Sequence, residues 1–180
     1  SSTNPLESEL FGGAPKLDWS TLSTTGLAIA QMDIGSAVDF HADGSVAMNV
    51  ADGVLVARGD FDMGIGQVST DGANNGIEFT DADAMTLTVS NAAVFVGFGG
   101  SLSDNTADAT VVNGSVGFAG AVDSVKVVAI NDAPLLDFNH SYLGVQVSGL
   151  NADLIGMGPV IEFHAGDVNV EVNQASSTNP

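Results

Sequence analysis

Apolar residues along this chain recur at every second position. Val46, Met48 and Val50 do so, as do Leu87 and Val89, Val125 and Val127, Val145 and Val147, and Val168, Val170 and Val172. A period of two puts one residue set on a single face of a β-strand, whereas a helix needs spacings of three and four. Asp43-Gly44, Asp52-Gly53, Asp71-Gly72, Asn74-Asn75-Gly76 and Asn113-Gly114 punctuate these runs. Such pairs suit tight turns that require positive φ. The 22 glycines would each weaken a helix interior. The pattern predicts an all-β chain of many short strands, roughly a dozen or more.

Two repeats overlie this alternation. Phenylalanines stand at 40, 61, 79, 98, 118, 138 and 163, a step of about twenty residues. Five follow an acid directly: Asp39-Phe40, Asp60-Phe61, Glu78-Phe79, Asp137-Phe138 and Glu162-Phe163. One Phe per step, in register, predicts a ladder of inward-facing rings with the acids on the opposite side. The second repeat is Ser-Ser-Thr-Asn-Pro, which occupies both 1–5 and 176–180. It reads as the seam of a tandem unit of about 175 residues, the chain length less one copy of the motif. On this reading, 1–25 is a connector with Trp19 as its docking residue, 26–173 a single all-β domain, and 174–180 the start of the next connector. A β-solenoid or β-roll with one coil per step accommodates both repeats, and a β-sandwich or β-barrel is the alternative.

Charge narrows the partners. Twenty-two acidic residues face three basic ones (Lys16, Arg58 and Lys126), for a formal charge of −19. Nucleic acid and anionic membrane surfaces both require clustered Lys and Arg, so neither is expected as a partner. The uncharged stretch from Ala84 to Ser103 is broken by Thr, Ser, Asn and Gly and does not read as a spanning helix. One Trp and one Tyr would not supply the aromatic girdles of a membrane barrel, so no membrane insertion is expected. With no cysteine there is no disulfide framework, thiolate metal site or Cys nucleophile.

Candidate chemistry is sparse. Asp39, Asp43, Asp81, Asp83, Asp104, Asp108 and Asp167 fall in turn-like stretches where carboxylates and carbonyls could converge on calcium. Asp43, Asp81, Asp83, Asp104 and Asp108 are the candidate ligands, set against a solvated acidic face with diffuse counterions. His41 and His164 occupy equivalent places after a Phe, and His140 lies in a related setting. With neighbouring acids they could ligate a metal, but Asp62 and Thr80 fill the same position in other copies, as a plain turn would allow. No nucleophile elbow or phosphate loop is present. No enzyme and no resident cofactor other than calcium is expected.

Ala129-Ile130-Asn131-Asp132-Ala133-Pro134 resembles the VNDAP-type junction of cadherin-like and VCBS-type repeats in very large bacterial surface proteins. Residues 77–173 look like the long repeats of giant exported proteins of aquatic bacteria, which carry no assigned catalytic activity. The resemblance implies a structural or adhesive role at the cell surface. In those families the Asn and Asp sit at a module border, where calcium stiffens the joint; here the element falls mid-unit. The expected function is therefore that of a structural tandem-repeat unit in an extracellular fibre, stalk or matrix filament, partnered end to end by identical units. A calcium-dependent adhesin module that binds surface glycans is the alternative.

Overall fold

The computed structural model describes residues 16–22, 26, 32–74, 76–132 and 139–178. Among them are eight strands and no helix: β1 (Val38–Val50), β2 (Leu55–Asn74), β3 (Ile77–Phe98), β4 (Ser101–Leu102), β5 (Val111–Val112), β6 (Val116–Asp132), β7 (Asn139–Ile155) and β8 (His164–Thr178). Six form one sheet in the order β1-β2-β3-β6-β7-β8, while β4 and β5 make a small hairpin between β3 and β6. Every pairing is antiparallel and joins sheet neighbours. The sheet is an open up-and-down meander with β1 and β8 as its edges.

The all-β reading is correct, but the strands are fewer and longer than the punctuation predicted. The six main strands run from 13 to 22 residues. Asp52-Gly53, Gly76 and Asn113-Gly114 do lie between strands, whereas Asp43-Gly44 and Asp71-Gly72 lie within them. The aromatic edge of Phe61 stands 3.4 Å from where a Cβ on Gly44 would be, so this glycine makes room for a cross-strand ring. The sheet does not close into a barrel. The coil-on-coil pairing of a solenoid is not seen among the described strands. Residues 174–178, assigned from sequence to a connector, continue β8 and pair with β7. Most of the 1–25 connector, Phe138 and Pro180 lie outside the described residues.

The Phe ladder does not form. A constant step aligns side chains only when successive segments run the same way, and a meander reverses direction at every hairpin. Phe40 thus pairs with Ile65 and Phe61 with Gly44 and Val89. Phe118 meets Phe163 at a centroid distance of 6.2 Å, and Phe79 meets Tyr142 at 6.1 Å. These are local pairs.

A single sheet has little interior. Among the described residues, the fully enclosed cluster lies where the β4–β5 hairpin folds over the sheet: Val56, Phe95 and Ala109 are each 0% exposed. Phe95 rests on a seat of glycines. A Cβ on Gly97, Gly100 or Gly117 would fall 2.8, 2.5 or 2.8 Å from its ring. The Val96-Gly97-Phe98-Gly99-Gly100 run is thus a packing device for one aromatic side chain.

Candidate functional site

Pairing register and pleat sort the sheet into two unlike faces. One cross-strand row reads Asp43, Asp62, Thr88, Lys126, Gln146 and Glu171. One residue further along each strand, on the opposite face, the row reads Ala42, Met63, Leu87, Val127, Val145 and Val172. Polar and apolar residues alternate along each strand, so the rows keep to their faces across all six strands.

The polar face carries most of the titratable groups of the sheet. Asp60 is its best-connected carboxylate. Ser45 Oγ donates to it at 2.8 Å, Asn91 Nδ2 at 2.9 Å and Arg58 Nη2 at 3.2 and 3.3 Å. The hydrogen bond from Asn91, followed by those from Ser45 and the charge of Arg58, holds the Asp60 carboxyl below the usual carboxylate range. Across the sheet, Gly149 N donates to Asn169 Oδ1 at 3.1 Å, Asn151 Nδ2 to Gly149 O at 2.9 Å, and Asp167 N to Asn151 Oδ1 at 3.1 Å. Asn91, Gly149 and Asp167 all have positive φ, of 51, 66 and 53°. Together they mark a line of bulges running across β3, β7 and β8, bridged by polar side chains. The sequence reading missed this seam.

The five candidate calcium ligands occupy three separate places. Asp43 lies in β1, where His41 is 4.0 Å away and also reaches Asp62 at 3.3 Å. Asp81 and Asp83 lie in β3, the former at a bulge with φ of 55° and its backbone N–H on Ser69 Oγ. Asp104 and Asp108 lie in the β4–β5 loop. Thr106 N and Oγ1 both donate to Asp104, at 2.9 and 2.6 Å. Those bonds from Thr106 lower the Asp104 carboxyl from its ordinary value. The three positions do not converge, and among the described residues no group of three or more His, Asp or Glu is placed to hold a metal. His164 pairs with Asp153 at 2.6 Å, and His140 stacks on Tyr142. Each of the three histidines therefore has a local partner. Asn131 and Asp132 lie at the end of β6, opposite Ser141 and His140, where Ser141 Oγ donates to Asn131. Trp19 N donates to Ile34 O, and the Trp19 residue is 37% exposed.

The opposite face is apolar except for Gln174, which faces Leu143 at the β8 edge. From the row of Phe40, Ile65, Met85 and Leu143 to that of Val50, Leu55, Val96 and Phe118, it carries no charged side chain. Acid appears only at one margin, where Asp83 stands opposite Asn131. Apart from Gly59, no residue of this face is buried, and Phe40, Val50, Val96 and Phe163 are 47 or 48% exposed. Near the Asp83 margin it holds a shallow hollow of about 900 Å³ lined by Ile65, Met85, Ala129 and Leu143.

No family model, curated protein or solved structure matches this chain. The faces themselves carry the functional argument. No helix among the described residues is long and apolar enough to cross a membrane.

Proposed function

We propose that this chain is a structural unit of a large extracellular protein, acting through β-sheet association with neighbouring copies of itself and not through catalysis. The observation that carries this reading is the charge-free face spanning six long strands, left open to solvent. Exposed apolar area on that scale marks an association surface. A sheet of one layer needs a second layer to bury its apolar side. The two edge strands also present unpaired backbone groups along 13 and 15 residues, a second route for continuing the sheet from copy to copy.

Acidity fits the same role. Carboxylates concentrated on the outer face keep assembled units soluble and set the spacing between separate assemblies. The duplicated Ser-Ser-Thr-Asn-Pro and the resemblance to repeats of giant exported proteins favour units arranged in series at the cell surface. Electron microscopy of a chain carrying several units in series is expected to show long unbranched filaments. Well-separated globular beads on flexible tethers would refute the reading.

A further inference from the structure

The apolar face points to one occupant. We propose that it is covered by the same face of a second copy, packed sheet on sheet, so that the folded protein is a two-layer sandwich of two chains. This rests on the reading of the chain as a self-associating structural unit and adds which surface associates and in what stoichiometry.

Size supports it. Six strands about 4.8 Å apart, each offering about eleven residues at about 3.3 Å, make a face of roughly 24 by 36 Å, or about 900 Å² per copy. A specific interface takes about 800 Å² from each partner. Two such faces meet at the spacing of about 10 Å found in β-sandwiches, with side chains interdigitated.

Charge supports it too. Bringing these faces together buries no carboxylate of the central rows and leaves Asp43, Asp62 and Glu171 on the two outer surfaces, where the repulsion between chains is least. A calcium-bound, glycan or protein partner held by polar contacts would find its groups on the other side of the sheet. Lipid is disfavoured because β1 and β8 are open edges, whose backbone donors and acceptors would go unmatched in hydrocarbon.

The β4–β5 hairpin lies on the polar side, where it covers Val56 and Phe95, which pair with each other on that face. It leaves the apolar surface open.

The absence of cysteine allows a direct test. A spin label is attached at Val127→Cys, in the middle of the apolar face, or at Thr88→Cys, on the polar face, and distances between copies are read by pulsed electron resonance alongside sedimentation. The expected result is a dimer with Val127 labels within about 25 Å and Thr88 labels farther apart by about 20 Å, two sheets lying about 10 Å from each other. Val127→Glu is expected to weaken association at least tenfold, while Thr88→Glu leaves it unchanged; circular dichroism reports whether each variant stays folded. Assemblies whose Val127 labels are mobile and show no short distance would overturn the face-to-face pairing while leaving self-association standing. A folded monomer at every concentration overturns both; an immobile Val127 label then identifies residues 1–37 of the same chain as the cover. Flotation of that monomer with uncharged phosphatidylcholine vesicles identifies lipid instead.

Discussion

At the scale of single residues, stability concentrates at a few positions because a one-layer sheet encloses so little. Phe95 is the largest fully buried side chain and sits on three glycines beneath the β4–β5 hairpin. Phe95→Ala is expected to cost about 3–5 kcal/mol, the range for emptying a buried aromatic site. Urea melts at one fixed protein concentration would measure it, and a change under 1 kcal/mol would show that the cluster is not a core. Asp60 offers a test by pH. Its folded carboxyl titrates below the value of 3.8 that an unperturbed Asp shows, so its bonds stabilise the fold above that value and are lost as pH falls through the lower, folded one. Asp60→Asn should therefore melt lower than the parent chain at pH 6 to 7, and the gap should close as pH falls below about 3.8. A gap that stays constant down to pH 2 would mean that the carboxylate's charge plays no part. Neither site was legible in the sequence. Phe95 falls outside the twenty-residue Phe series, and Asp60 looked like any acid before a Phe.

At the scale of elements, the alternation rule read the β class correctly but stopped one step short. In β6 the apolar face runs Phe118, Gly120, Val122 and then Val125, Val127, so its parity changes at Asp123. The same switch occurs near Asn91 in β3, at Gly149 in β7 and at Asp167 in β8, while β1 keeps one parity from Phe40 to Val50 and β2 from Leu55 to Gly66. Each switch is a bulge that restores the face after an extra residue. The signal was present in the sequence as a change of parity with Asn, Asp or Gly beside it; the strand count was inflated by reading Asp43-Gly44 and Asp71-Gly72, which lie within β1 and β2, as turns. Gly149 is the most constrained member, with φ of 66° and a Cβ position 2.2 Å from Asp123 Oδ2. Gly149→Ala is expected to destabilise by about 1 kcal/mol or more. Asp167→Gly keeps the backbone bonds, eases a positive φ and is expected to be tolerated. Thermal melts of the two variants side by side would check the contrast; equal losses would argue against a conformational cause.

At the scale of the whole molecule, the proposed pairing makes the sheet half of a structure that association completes. Its melting temperature should rise with protein concentration, because a species that binds only the folded state stabilises it by mass action. Calorimetry over a hundredfold range would show this, and a constant melting temperature would count against coupled folding and association. Calcium is expected to raise the melting temperature no more than magnesium at equal ionic strength, since Asp43, Asp81, Asp83, Asp104 and Asp108 do not converge. A selective rise with calcium would restore the adhesin alternative. The sequence by itself determined the β class and the two-sidedness of the strands, because a period of two assigns each residue a face locally. Only the tertiary structure decided how those faces combine. Strand order, the shared line of bulges and the openness of the sheet depend on pairing between residues far apart in the chain. A repeat step carries no information about the direction in which the next strand runs. For that reason the acid-Phe series suggested a stack of coils, and the chain instead forms a meander with one face open.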